Sequence, residues 1–247
     1  GSEKMRSPLV LNDGLYKYRH VIKSLIPKNV INLRFPAVRD LELELYMSNK
    51  YNISCSTYDY RIYDFWNTYY KYPAKVFELS KKFFSTIDLE EYAILSEFYH
   101  KQVDESVRSA LFLLMNRCGN YNNFFKDSFN LHNASLVEDF LEGHTHFLPH
   151  NISVTHRPIL AQVGRPFSFT IIDLSSLNFE NIVHYVEDTS YTIDQVYETL
   201  KQRKNWCLKV NKSGAHSQWF STFNYFYLTP SGKRSLSETN KILFYKT

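Results

Sequence analysis

A short turn between an apolar stretch and a helix carries side chains that could do chemistry. Residues 182–187 are apolar and β-prone, which predicts a buried strand, and a helix opens at Thr192 with Gln195 three positions later, the spacing of a capping box. Between strand and helix lie an acid, Asp188, and an aromatic residue, Tyr191. A strand, a short turn and a capped helix form the layout of an active-site turn in an open α/β sheet. We therefore predict a functional site at this turn.

Cysteine and histidine, the usual metal ligands, are present without the spacing of a metal site. The three cysteines are isolated and odd in number, which argues against a disulfide framework or a zinc site and favours a reducing compartment, cytoplasm or nucleus. Residues 144–156 hold four histidines with no cysteine near, so we expect them to face solvent or phosphate and expect no metal. These residues are Cys55, Cys118, Cys207, His144, His146, His150 and His156.

Composition indicates a folded protein and leaves its partners open. With 44% hydrophobic residues among 247, the chain can bury a substantial core. The 19 Tyr and 19 Phe are typical of an AT-rich coding genome, viral or phage genomes included; a surface that stacks nucleobases is the alternative. The net charge of +4 permits nucleic-acid binding without requiring it. No stretch resembles a signal peptide or is apolar for long enough to cross a bilayer, and Gly1-Ser2 is typical of a cloning scar, so we expect a longer natural chain.

The elements that must position the turn alternate between strands and helices. A block of three consecutive helices and an irregular, Asn- and His-rich stretch interrupt this alternation, and an antiparallel ribbon ends the chain. This order predicts an α/β protein with a core over 1–72 and 166–247 and an inserted, mainly helical subdomain over 73–165. Strands are predicted at 29–35, 51–57, 167–173, 182–187 and 206–210, and helices at 15–26, 38–49, 74–85, 88–101 and 104–117.

One segment resembles a known family. Residues 115–130, MNRCGNYNNFFKDSFN, are similar to the L-N-R-x-x-F-N-G-x-Y-R … F-N segment of the Dam-like class of adenine-N6 DNA methyltransferases. Shorter pieces on both sides of this segment stand in the order that the family has. They are an opening segment with Lys17 in place of the lysine of a Pro-Gly-Gly-Lys turn, a first strand ending at Phe35, a second strand followed by Asp59, and a C-terminal ribbon. The turn described above stands where the family has Asp-Pro-Pro-Tyr.

The resemblance implies a Rossmann-like class I methyltransferase sheet with helices on both faces. It implies binding of S-adenosylmethionine by Lys17, Phe35 and Asp59, of which Asp59 has helix N-capping as an alternative role. It also implies that a flipped adenine meets Asp188 and Tyr191. Nucleic-acid contacts are implied for residues of the helical region, with ordinary solvated surface as the alternative for the basic ones. These residues are Asn116, Arg117, Tyr121, Asn122, Lys126, Arg157 and Arg165.

Two departures from the family pattern predict loss of activity. The first turn, Phe35 to Arg39, contains no glycine, although a glycine-rich turn lets the backbone approach the cofactor, and Pro36 cannot donate a hydrogen bond. Thr189 and Ser190 replace the two prolines that would hold the catalytic carbonyl in one direction.

Three functions follow as hypotheses. The first is a catalytically degenerate methyltransferase homologue that binds nucleic acid, DNA or RNA, or serves as a partner or scaffold subunit of an active paralogue, with no cofactor and no membrane association. The second is an active adenine-N6 methyltransferase with divergent motifs, which would bind S-adenosylmethionine if its pocket survives. The third is a protein-interaction module that has lost both cofactor and nucleic acid.

Overall fold

The computed structural model describes residues 7–84, 87–125, 127–143, 152–176, 184–186 and 189–247, with the backbone alone described at 162, 184–186 and 189–191. Eight strands form the main sheet, in the order β3-β2-β1-β4-β7-β10-β8-β9. The strands are β1 (Asn32–Phe35), β2 (Asn52–Thr57), β3 (Val154–His156), β4 (Ser168–Asp173), β5 (His184–Val186), β6 (Thr189–Tyr191), β7 (Trp206–Asn211), β8 (Asn224–Leu228), β9 (Arg234–Ser235) and β10 (Lys241–Lys246).

The sheet combines a parallel half and an antiparallel half. β1 pairs in parallel with β2 on one side and β4 on the other, with Arg34 opposite both Ser54 and Thr170. β3 and β7 extend this parallel part at its two ends. β10 then lies antiparallel between β7 and β8, and β8 pairs with the short β9. The fold is Rossmann-like with a C-terminal antiparallel region, as predicted.

Several helices begin at a short polar side chain that caps them. Asp59, Asp88 and Asp104 each accept a hydrogen bond from a backbone N–H in the first turn of α3, α5 and α6, respectively. Thr192 and Gln195 form the predicted capping box of α9. The helices are α1 (Arg19–Leu25), α2 (Glu42–Met47), α3 (Tyr60–Lys71), α4 (Pro73–Phe83), α5 (Leu89–Lys101), α6 (Glu105–Arg117), α7 (Leu131–Ser135), α8 (Val137–Gly143), α9 (Ile193–Lys201) and α10 (Trp219–Thr222), with short 3-10 turns at Leu15–Tyr18, Ile159–Gln162 and Gly214–His216.

Two hydrophobic cores cover the two faces of the sheet. Along β7 and β10, alternate residues join different cores: Cys207 and Leu243 pack with the helices α1 to α6, whereas Leu208 and Phe244 pack with α9 and α10. The first core takes residues from both the predicted sheet core and the predicted helical insertion, so the two parts share one interior. None of the described helices is long and apolar enough to span a membrane.

The structure corrects the prediction of a main-sheet strand at 182–187. Residues 184–186 form β5, which pairs antiparallel with β6 in a separate two-stranded sheet. The β-propensity of a segment does not specify the strand with which it pairs, and here β5 pairs with β6, the next strand in the sequence. β3 falls within the predicted insertion but pairs with β2 at the end of the main sheet; the domain division itself stays a prediction.

Candidate functional site

The natural binding place in this fold lies between β1 and β4. From β1 the chain adds β2 and β3 on one side of the sheet, and it then returns to add β4 and β7 on the other. In open α/β sheets, ligands bind in the crevice at the carboxyl ends of the strands where this reversal occurs. Here the crevice is bordered by the turn after β1, which runs to Arg39, and by Asp173, the last residue of β4.

An ion pair crosses this crevice. The guanidinium of Arg39 contacts the carboxylate of Asp173 at 3.4 Å; Asp173 is buried and the Arg39 side chain is 10% exposed. Two hydrogen bonds fix the turn that carries Arg39. The indole N–H of Trp66 donates to the Arg39 carbonyl at 2.8 Å, and the backbone N–H of Val38 donates to the Ser56 carbonyl. Arg39 therefore joins the two sides of the crevice.

Lys209 extends this pair into a network. Its ammonium, on the central strand β7, is 0% exposed and donates to Asp13 at 2.8 Å and to the Ser175 hydroxyl at 2.7 Å. It also lies 3.5 Å from Asp173, to which the Ser175 hydroxyl donates. Lys241 on β10 contacts Asp13 at 2.8 Å from another side. Three cations and two carboxylates from five distant parts of the chain thus neutralise most of one another's charge.

The electrostatics of the two carboxylates follow from this pairing. Burial raises the pKa of Asp13, but the charge and hydrogen bond of Lys209, with bonds from Lys241 and Tyr18, outweigh it and hold that pKa well below its ordinary value. The pKa of Asp173 is also lowered overall, because the charges of Lys209 and Arg39 outweigh the opposing effect of burial. Both groups are therefore ionised at neutral pH and bound to their cations.

Among the described residues, little space remains in the crevice. The cavity between Gly14, the turn after β1 and Asp173 measures about 10 Å³, at the lower limit for one water molecule. The opening segment is pressed against the first turn, since a Cβ added to Gly14 would lie 2.4 Å from the Asp40 carboxylate. Small-molecule sites have volumes of roughly 300–1,000 Å³. The cavity that the described residues leave at the crevice is far below this size.

Two further buried carboxyl groups border the cavity. Burial, followed by the charge of Glu42, raises the pKa of Asp40 to about 6. Burial, followed by the charge of Asp40, raises the pKa of Glu44 well above its ordinary value. Among the described residues, no cluster of three or more His, Cys, Asp or Glu side chains is able to hold a metal ion.

The three residues predicted to bind the cofactor are in different environments. Lys17 does not line the cavity at the crevice, and its ammonium donates to the Pro230 carbonyl in the C-terminal ribbon. Phe35 borders the crevice and is buried in the first core. Asp59 caps α3 and contacts Arg61 at 2.9 Å, so its carboxylate has the capping role named as the alternative. The structure does not bring these three side chains together at one site.

The block that resembles the family holds the opening segment in place. Asn116 is buried, and its amide exchanges two hydrogen bonds of 2.8 Å with the backbone N–H and carbonyl of Val10. Arg117 donates to the Pro8 carbonyl at 2.7 Å and stacks on the Phe140 ring. These contacts are the interactions of a structural clamp, which a sequence pattern cannot distinguish from those of a nucleic-acid contact.

The rest of the block continues this clamp. The Tyr121 carbonyl accepts a hydrogen bond from the Asn12 backbone N–H, and Tyr121 has a positive φ of 64°. The Asn122 amide oxygen accepts from the Asn12 side chain at 3.3 Å. Lys126 lies outside the described residues. The nucleic-acid roles assigned to this block stay predictions.

Arg157 and Arg165, also predicted as nucleic-acid contacts, are exposed. Asp188 lies outside the described residues, and Tyr191 ends β6 in the separate hairpin. The active-site role of this pair stays a prediction.

Sequence analysis missed the charged network beside the crevice, including the charge of Arg39. Its residues are Asp13, Arg39, Asp173, Ser175, Lys209 and Lys241. One signal was available, since the predicted strand at 167–173 ends in an acid at a position where ligand-binding residues occur. A lysine within the apolar strand WCLKV was a second signal, because buried lysine requires a partner.

Comparison with known proteins adds no relative. No family model matches the sequence, and no curated protein is significantly similar to it.

Proposed function

We propose that this protein is a catalytically degenerate adenine-N6 methyltransferase homologue that works by binding, either to nucleic acid or as a subunit beside an active enzyme. The observation that carries this proposal is the crevice between β1 and β4, which the Arg39–Asp173 pair crosses and which retains about 10 Å³. A methyl-transfer enzyme must hold its cofactor there, whereas a binding protein can fill the space with its own side chains.

The sequence supports the same proposal independently. The turn after β1 contains Pro36 and Arg39 and no glycine, so side chains occupy the volume that a glycine-rich turn leaves to a cofactor. A larger open depression of about 570 Å³ exists, but Lys28 and Asn205 place it at the amino ends of the strands, the edge opposite to the usual ligand crevice.

Free, buried cysteines support a reducing compartment for this function. Cys55, Cys118 and Cys207 are all buried and unpaired. Burial raises the pKa of the Cys118 thiol to about 12, which leaves it protonated and unreactive.

The test is calorimetric titration with S-adenosylmethionine and with S-adenosylhomocysteine, with an active adenine methyltransferase as positive control. We expect no heat and no thermal shift at millimolar ligand. The same titration on Arg39→Ala measures how far that side chain alone closes the crevice. Micromolar binding to the unmodified protein would contradict the proposal and favour the active-enzyme hypothesis.

A further inference from the structure

A second group of functional side chains lies at the carboxyl ends of β2 and β3. The rings of Tyr63 and His156 stack with their centroids 5.8 Å apart and 22° between their planes. Tyr60 contacts both, edge-on to His156 at 5.7 Å and tilted against Tyr63 at 5.9 Å. The three residues, which we name the ring cluster, come from the first turn of α3 and the end of β3.

The backbone holds the ring cluster in position. His156 Nε2 forms a hydrogen bond of 3.2 Å with the Tyr58 carbonyl, which fixes the plane of the imidazole. Asp59 caps the helix that carries the two tyrosines. Tyr60 nevertheless has 59% of its surface exposed, although a large aromatic ring gains more from burial than from contact with water. The cluster is thus a partly open and ordered aromatic surface.

Positive charge accompanies the rings. Arg157 directly follows His156 and is exposed, and the side chains of Arg157 and Arg165 form no hydrogen bond or ion pair with any part of the chain that the structure describes. Burial lowers the pKa of Arg34, and the charges of Arg165 and Arg157 lower it further, so each of these two exposed guanidinium groups lies within electrostatic reach of Arg34. This region therefore attracts an anion.

We propose that the ring cluster and Arg157 bind an unpaired base and an adjoining phosphate of single-stranded nucleic acid. The inference rests on the proposed function and names its ligand. Every base presents a π-face that stacks on tyrosine or histidine, and a neighbouring arginine neutralises the phosphate. A duplex hides its base faces in the stack, and an acidic peptide supplies the charge without the planar ring, so single strands fit both features best.

The experiment measures fluorescence anisotropy of four labelled ligands at low and at physiological salt. These are a single-stranded DNA, an RNA of the same sequence, the corresponding DNA duplex, and an abasic oligomer of equal length that keeps the phosphates and lacks the bases. We expect at least one of the base-containing single strands to bind more tightly than both the duplex and the abasic oligomer, with an affinity that falls as salt rises.

Variants separate stacking from charge. Tyr60→Ala should weaken single-strand binding by roughly 5- to 20-fold and leave abasic binding unchanged, and Tyr60→Phe should retain the affinity. Tyr72→Ala removes another exposed tyrosine, away from the ring cluster, and should have no effect. Arg157→Ala should reduce the slope of log affinity against log salt by about one, whereas Lys233→Ala, an exposed cation in the C-terminal ribbon, should not.

Specific results would overturn this proposal. Equal binding of the abasic and base-containing strands would reduce the site to a general anion surface, and equally tight binding of polyglutamate would assign it to an acidic protein. Equal effects of Tyr60→Ala and Tyr72→Ala would also refute it. Titration of the same preparation with S-adenosylmethionine reports on the closed crevice alone, so failure of the stacking site and failure of the proposed function are distinguishable.

Discussion

Two regions at the same edge of the sheet differ in the exposure of their functional side chains. In the crevice between β1 and β4, Lys209 and Asp173 are enclosed and bind each other, because an unpaired charge in the interior would lose its hydration without compensation. At the ends of β2 and β3, Tyr60 and Arg157 face solvent and leave their interacting surfaces open. The first region is therefore part of the protein interior, whereas the second is open to solvent, as the proposed binding of a ligand there requires.

The largest expected effect comes from breaking the closed region. Lys209→Met leaves Asp13 and Asp173 without their shared cation, and we expect the free energy of unfolding in urea to fall by about 3–5 kcal/mol. Lys233→Met, at an exposed position, should change it by less than about 0.5 kcal/mol. Adding Asp173→Asn to Lys209→Met should restore part of the loss. A loss below about 1 kcal/mol would show that the network is not a structural unit.

The clamp on the opening segment predicts the next largest effect. Asn116→Ala removes two hydrogen bonds and leaves the backbone groups of Val10 unpaired, so we expect a loss of about 2–3 kcal/mol in the same measurement. Asn122→Ala, at an exposed position, is the control and should cost less than about 1 kcal/mol. Unchanged stability of Asn116→Ala with weaker nucleic-acid binding would instead support the contact role predicted for this residue.

A smaller, pH-dependent gain should come from Asp40. Its folded pKa of about 6 lies above the ordinary carboxyl value, so the folded state binds the extra proton and stability falls as pH rises from the ordinary value through about 6. Asp40→Asn keeps the hydrogen bond from the Glu42 backbone N–H and removes this loss. The variant should match the unmodified protein near pH 4 and exceed its stability by about 1–3 kcal/mol near pH 8.

Asp13 and Asp173 give the opposite dependence in a lower pH range. Their folded pKa values lie below the ordinary carboxyl value, so their contribution is complete above that value and is lost as pH falls towards the folded pKa values. Unfolding measured against pH separates the two effects. An equal gain for Asp40→Asn at both ends of the range would mean that Asp40 does not titrate between them.

The smallest effect on stability is expected where the effect on binding is largest. Tyr60→Ala should change the free energy of unfolding by less than about 0.5 kcal/mol, since the ring is exposed and its contacts are at the rim of the ring cluster. If the variant lost more than about 1 kcal/mol, the ring cluster would be a structural contact and the comparison between the two regions would fail.

Much of the fold could be predicted from local patterns. Four of the eight strands of the main sheet, β1, β2, β4 and β7, and the cap of α9 depend on residues within a few positions of one another, so local sequence patterns identify them. The partner of the β-prone run at 182–187 could not be identified in this way, because strand propensity is the same for a main-sheet strand and for the hairpin of β5 and β6 that the structure contains.

The sequence by itself determined the class of the fold, the chemical types at the turn after β1, and the absence of glycine from that turn. Tertiary structure decided which charged groups meet. Asp13, Asp173 and Lys209 lie far apart in the chain, and their contact depends on the strand order that brings β4 and β7 together behind the opening segment. The physical reason is that local hydrogen bonds specify elements, whereas the pairing of buried charges requires the completed interior that makes unpaired ones so costly.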